Sequence, residues 1–123
     1  MEKIKTEYAP KALGPYSQAV VVWNFIFCSG QIALDPKTMK LVWNNIDEEV
    51  HQICKNITNV LKSIDLSLWN VVKTTIFLTD MNEFSVVNKI YWEYFSHKPA
   101  RSTVEVSKLP LGASIEIEVI ASK

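Results

Sequence analysis

Apolar residues crowd the first third of the chain in a strand-like manner. Residues 18–34, QAVVVWNFIFCSGQIAL, are rich in β-branched and aromatic side chains, which predicts two strands. Asn24 near the middle predicts a hairpin turn, although the usual glycine is missing. Ser29-Gly30 ends the second run, DPKTMK reads as a turn, and Trp43 falls in a short third strand. The period then changes. Ile46, Val50, Ile53, Ile57, Val60, Leu61 and Ile64 recur at three- and four-residue steps, one apolar stripe on a helix of about five turns. Asn45 with Glu48 resembles a cap and its reciprocal partner, and Asp47 and Glu49 suit the positive end of the helix dipole.

VVKTTIFLTD, residues 71–80, is the clearest strand; its apolar residues fall on both faces, which predicts that both are covered. Asp80 offers an N-cap, with Glu83 at the third helical position. A second helix is predicted to about Phe95, carrying Phe84, Val87, Tyr91 and Tyr94 toward the sheet, and Pro99 prevents its continuation. RSTVEV and ASIEIEVIA are two further strands joined by the turn KLPLG. The order β-β-β-α-β-α-β-β is that of an α+β sandwich. Two helices cover only one face of such a sheet. The other face also carries large apolar groups, which monomers avoid leaving in water. That face is therefore expected to be buried between subunits, where small-molecule sites often lie.

The remaining properties of the chain narrow the function classes. Its 123 residues fit a single domain, 1–123. A formal net charge of zero leaves no electrostatic footprint for duplex nucleic acid or a membrane surface. The N-terminus lacks the apolar stretch of a signal peptide and no apolar run is long enough to cross a bilayer, so an intracellular, cytoplasmic protein is expected. Cys28 and Cys54 are far apart without CxxC spacing and read as free thiols. His51 and His97 each stand without a metal-like partner, so no metal site is expected. Three glycines leave no phosphate-binding loop, and no GxSxG elbow is present.

Candidate chemistry centres on Arg101, the single arginine beside twelve lysines. A guanidinium grips a planar anion through two parallel hydrogen bonds, which lysine does poorly; the alternative is a surface or interface ion pair. Arg101, Thr103 and Glu105 share one strand face, and Ser114, Glu116 and Glu118 share another. If the two strands are neighbours, Arg101 lies near a glutamate of the last strand, either as a structural pair or as a carboxylate clamp beside an acid/base group. Tyr16 follows the turn signal Gly14-Pro15. Ser29-Gly30 offers a hydroxyl and an unobstructed backbone amide. Asn88 sits on the apolar side of the second helix, where a buried amide needs partners.

GPYSQA (14–19), CSGQI (28–32), VVKTTIFLTDMNEF (71–84), VNKIY (87–91), PARSTVEV (99–106), LP (109–110) and IEIEVIA (115–121) together resemble the RidA family, also called the YjgF family, from about Gly14 to Ala121. The resemblance implies a chorismate-mutase-like α+β sandwich, a mixed β-sheet with two helices on one face. It also implies a homotrimer whose sheets form an inner barrel and whose clefts lie between subunits. The implied activity is hydrolysis of reactive enamines and imines, such as 2-aminoacrylate, to 2-oxo acids and ammonia, with no metal or organic cofactor. By position, Arg101 would clamp the substrate carboxylate and Glu116 would stand near the attacking water. Tyr16, Ser29, Gly30 and Asn88 would line the cleft. Thr103 stands where some relatives have cysteine. The segment between Tyr91 and Arg101 is shorter than in many relatives, and Lys98 replaces an aromatic there; an extra cation bordering the cleft would favour more acidic substrates. The rival activities are RNA cleavage or translation inhibition, which zero net charge and the lack of a histidine pair disfavour, and a ligand-binding or chaperone-like trimer without turnover.

Overall fold

The computed structural model describes residues 1–42 and 45–123. Six strands form one mixed sheet: β1 (Glu2–Ile4), β2 (Ala19–Val22), β3 (Phe25–Cys28), β4 (Val71–Leu78), β5 (Ala100–Glu105) and β6 (Ile115–Ser122). Their order is β1-β2-β3-β6-β4-β5. Every neighbouring pair is antiparallel except β4 and β5. Two helices, α1 (Ile46–Lys62) and α2 (Phe84–Tyr94), supply the crossovers. A parallel pair needs such a connection, and α2 provides it between β4 and β5. β3 and β4 run in the same direction with α1 between them, leaving a gap that β6 fills.

This insertion corrects one expectation. β5 and β6 are consecutive in the chain but not adjacent in the sheet, because β4 lies between them. The β2–β3 hairpin forms as expected, with Trp23 in the left-handed region at φ 54° beside Asn24. β1, which the sequence reading did not anticipate, extends the edge beyond β2. The strand expected at Trp43 lies outside the described residues; next to it, Leu34 and Leu41 form an isolated bridge.

The caps follow the chemistry of the sequence. Asn45 Oδ1 accepts from the Glu48 amide at 2.9 Å. Asp80 Oδ1 accepts from the Asn82 amide at 2.9 Å, capping a short 3-10 turn that leads into α2. The α1 stripe Val50, Ile53, Ile57, Val60 and Leu61 is fully buried, and so are Ile26, Ile76, Ile115 and Ile117 of the sheet. Each such side chain stabilises the fold by roughly 1.5–3 kcal/mol. Val87, Ile90 and Tyr91 of α2 complete the core. Tyr94 departs from expectation: its hydroxyl pairs with His51 Nδ1 of α1 at 2.6 Å, so it ties helix to helix.

Only the helix face is covered. On β4, Thr74, Ile76 and Leu78 are buried, whereas Lys73, Thr75 and Phe77 of the opposite face are not, so the expectation of two covered faces fails within one protomer. The open face carries Phe25, Phe27 and Val104 at 46, 44 and 41 % exposure. The uncovered apolar face argued from helix counting is present.

Candidate functional site

β5 is the edge strand, and its register with β4 sets where Arg101 points. Arg101 pairs with Thr74, whose side chain is on the helix face. The guanidinium therefore turns toward α2. Its Nη1 donates to Asn88 Oδ1 at 2.7 Å. Its carbon lies 4.8 Å from the centroid of the Tyr91 ring and 5.5 Å from that of Phe84. Among the described residues no carboxylate pairs with it. A surface ion pair is thus absent within one protomer among the described residues, and the neighbours that orient the charge there are neutral. On the same strand face, the buried Thr103 Oγ1 has no hydrogen-bond partner among the described residues. A buried hydroxyl left unpaired is costly unless something else supplies the bond.

Glu116 lies on the other face of the sheet. It is half-buried on β6, opposite Phe77 in register. The loop after β3 is stitched to β6 by Gln31 and Ile117, whose backbone groups exchange hydrogen bonds at 2.8 and 3.0 Å. That places Gly30 directly against Glu116: a Cβ added at Gly30 would stand 2.7 Å from Glu116 Cδ. Glycine is needed here for close approach. Burial pushes the Glu116 carboxyl above its ordinary range, and the neighbouring charge of Glu118 adds to the rise.

A cavity of about 320 Å3 opens beside this acid, lined by Tyr16, Gly30, Gln31, Pro110, Leu111 and Glu116 among others. Tyr16 is exposed, its hydroxyl accepting from the Leu13 amide at 3.3 Å. Ser29 does not aim a free proton at the cavity: its hydroxyl donates to the Ser17 carbonyl at 2.6 Å and pins the Tyr16 loop. A larger cavity of about 710 Å3 shares Lys11, Tyr16 and Gln18 with the first but contains neither Arg101 nor Glu116. The smaller one holds the acid and is the better candidate for chemistry.

Gln18 was missed as a structural determinant, although it stands inside the GPYSQA segment. Its buried amide donates to the carbonyls of Thr6, Ala9 and Pro10 and accepts from the Thr6 amide. Four bonds from one side chain hold residues 6–10 against the loop that carries Tyr16. The Lys98 ammonium lies 5.3 Å over the Trp92 ring, and it lines neither of these cavities of the single protomer.

The structure thus gathers the candidate residues into two groups. Arg101, Asn88 and Thr103 lie at the β5–α2 edge; Tyr16, Ser29, Gly30 and Glu116 lie around the open-face cavity. Within one protomer the groups are on opposite faces of the sheet, separated by β4, and the expected approach of Arg101 to a glutamate of the last strand does not occur. Among the described residues no group of three or more histidine, cysteine, aspartate or glutamate side chains forms a metal-binding cluster, and no helix is long and apolar enough to cross a membrane. Cys28 and Cys54 are free, with burial raising the Cys28 thiol to about 12 and the Cys54 thiol further.

The architecture is that of a two-layer α+β sandwich whose chemically competent side chains lie at its sheet edge and on its open face. Comparison with known proteins places it more closely. Residues 6–123 match the family Endoribonuclease L-PSP. A RutC family protein of Pyrococcus horikoshii is 50 % identical over 123 residues, covering 99 % of this chain and 98 % of that one. The human 2-iminobutanoate/2-iminopropanoate deaminase is 49 % identical over 119 residues, covering 96 % and 87 %. The crystal structure of Escherichia coli TdcF with bound serine superposes with a TM-score of 0.95 at 33 % identity, covering 100 % and 99 %. The chain belongs to the Endoribonuclease L-PSP family, the RidA-type family that its motifs resemble.

Proposed function

We propose that the protein hydrolyses small 2-imino acids and their enamine tautomers, such as 2-aminoacrylate, to 2-oxo acids and ammonia. The site is a cleft between subunits of a homotrimer, with the Arg101 group of one subunit facing the Glu116 group of the next. The carrying observation is the guanidinium of Arg101, oriented by an amide oxygen and two ring faces and paired with no carboxylate. Such a group attracts a planar anion and has donors left to grip it. The orphaned Thr103 hydroxyl supports a ligand at the same edge. The exposed apolar face supports association, and the distribution of candidate residues over two faces supports a shared site. Serine bound to TdcF, a three-carbon amino acid, matches the ligand class.

The chemistry needs few groups. The enamine takes a proton at its methylene carbon and becomes an iminium. Water adds to C2, and Glu116, made more basic by burial, takes the proton that the water releases. That proton passes to the amino nitrogen; the C–N bond breaks with its electron pair leaving on ammonia while the C2 hydroxyl gives up its proton, which balances the one taken up at the methylene carbon, and the 2-oxo acid remains. Positioning the acid and shuttling the proton each contribute roughly two to four powers of ten. RNA cleavage, the activity in the family's name, has less support: His51 is engaged by Tyr94 and His97 by the Val71 carbonyl, and neither lines the Glu116 cavity.

The test generates 2-aminoacrylate with a serine dehydratase and follows ammonia and pyruvate release with and without the protein. Acceleration that falls by about a hundredfold in Arg101→Lys is expected, because the charge stays but the bidentate fork is lost. Equal rates in that variant would remove the clamp.

A further inference from the structure

The proposed clamp has a support of its own. Phe84, Asn88 and Tyr91 are spaced four and three residues apart on α2, so they form one stripe on one helix face. All three touch the guanidinium of Arg101. We infer that Tyr91, together with Phe84, is a positioning residue for Arg101: the two ring faces fix the plane of the fork, and Thr74 fixes the Tyr91 ring. The inference rests on the reading that Arg101 grips a substrate carboxylate.

Arginine on an edge strand has a long side chain that sweeps through solvent unless something holds it. A carboxylate would hold it but would also occupy its donors and cancel its charge. Aromatic faces attract the cation without taking a hydrogen bond. Asn88 takes one of the five N–H groups, and the rest stay available. Tyr91 is suited to the task because it cannot turn. It is 5 % exposed, its hydroxyl bonds Thr74 Oγ1 at 2.8 Å, and its ring stacks on Phe95 at 4.6 Å. Thr74 is the residue that pairs with Arg101 across β4 and β5, so strand register and helix stripe converge on the same side chain. Thr74 and Tyr91 otherwise form a buried polar contact in an apolar layer with no evident need for it.

The single arginine makes the inference directly readable. In the full-length protein labelled with 15N-arginine, one guanidinium gives all the side-chain signals. Restricted rotation, seen as resolved Nη resonances, is expected in the wild type and, with broader lines, in Tyr91→Phe, which keeps the ring but loses the Thr74 bond. Averaged resonances are expected in Tyr91→Leu. Pyruvate, the 2-oxo acid product, serves as the binding probe. Its affinity falls about tenfold in Tyr91→Leu and several-fold in Phe84→Leu, while Tyr91→Phe, which keeps the ring but loses the Thr74 bond, falls less than either. In turnover, KM rises by the same factors with kcat little changed. In an Arg101→Lys background, Tyr91→Leu has no further effect on pyruvate binding, since it acts through Arg101.

Thermal melts establish that each variant is folded. Should Tyr91→Leu not fold, Phe84→Leu decides, because the Phe84 ring is only partly buried and its loss disturbs the core less. A freely rotating guanidinium in the wild type overturns the inference. So does unchanged pyruvate affinity in a folded ring-deleted variant, an equal loss in the Arg101→Lys background, or a wild type that does not bind pyruvate. A wild type that binds pyruvate with the stated pattern but does not accelerate imine hydrolysis sinks the catalytic reading and leaves the positioning role standing.

Discussion

The two halves of the candidate site are built in opposite ways. The Arg101 half is a charge held still by neutral neighbours at a sheet edge, an amide oxygen and two rings, on the strand face that also carries the unpartnered Thr103 hydroxyl. What these neighbours set is the geometry of the group. The Glu116 half is a carboxyl whose ionisation is altered, first by burial and then by the nearby Glu118, and whose position depends on the missing side chain of Gly30. In the proposed mechanism one half is a rigid anion receptor and the other a tuned proton acceptor. A hydrolase for imino acids needs both, and a simple carboxylate binder needs only the first.

The sharpest way to break this pairing is to separate it between subunits. Arg101→Ala and Glu116→Gln are each expected to lower activity by at least about a hundredfold. If the halves meet across a subunit boundary, mixed assemblies of the two variants contain some boundaries with both groups intact. Random mixing in equal amounts in a closed ring restores about a quarter of wild-type activity. Co-refolded or co-expressed variants that remain as inactive as either parent show that the groups belong to separate sites. The same experiment leaves each parent as its own control for folding.

Next in size is Gly30→Ala. The atom that the new methyl meets is the end of the Glu116 side chain, which swings aside more easily than backbone. Stability is therefore expected to change by less than about 1 kcal/mol, while misplacement of the carboxyl lowers kcat by about a hundredfold. Pyruvate affinity, carried by the other half, stays near wild type. A drop in pyruvate affinity with kcat retained would assign Gly30 to carboxylate binding and reverse the roles of the halves.

How these halves were legible differs with the physics behind them. The α1 stripe, the hairpin and both caps follow from local periodicity and hydrogen-bonding chemistry, so they could be read directly. Strand adjacency is non-local. The last two strands look like a hairpin in sequence, yet β6 enters the gap left by the β3–α1–β4 crossover, and no local signal near Pro110 reports it. For that reason Arg101 and Glu116 could be singled out as candidates, whereas their approach within one protomer, which required the two strands to be neighbours, does not occur. Asn88 was recognised as an amide in need of a partner without its partner being evident. Tyr91 and Gln18 were hidden for another reason: a tyrosine on an apolar stripe reads as packing, and a glutamine before a strand reads as surface. Only the register of β4 with β5, and the return of residues 6–10, give each its polar partner.

A pH experiment sharpens the contrast further. Glu116 must be ionised to accept a proton, so kcat/KM falls as pH drops through its raised pKa, at a pH above the ordinary carboxylate range. Glu118 is the smaller of the two causes, and it is exposed on the same face. Removing its charge in Glu118→Gln lowers the Glu116 pKa, so the acidic limb moves to lower pH while the plateau rate changes little. Pyruvate binding by Arg101 does not share that limb. An acidic limb that stays in place in Glu118→Gln assigns the titration to another group.

The smallest expected effect concerns the frame behind Glu116. Glu49 is buried in the first turn of α1 with one carboxyl oxygen unpartnered among the described residues, and Ser114, two residues before Glu116, favours its anion. Burial raises its pKa more than Ser114 lowers it, and Glu83 adds to the rise. A group whose folded pKa is raised favours the folded state below its unfolded pKa, and that contribution is lost as pH rises through the folded value. Glu49→Gln keeps an oxygen for the Ser114 amide and removes the charge. Its melting temperature is therefore expected to exceed that of the wild type at about pH 8, with the gap closing as pH falls toward the carboxylate range. A gap that widens toward acid instead would mean that Glu49 is stabilising as an anion, held by the α1 N-terminus and Ser114 more strongly than burial opposes it.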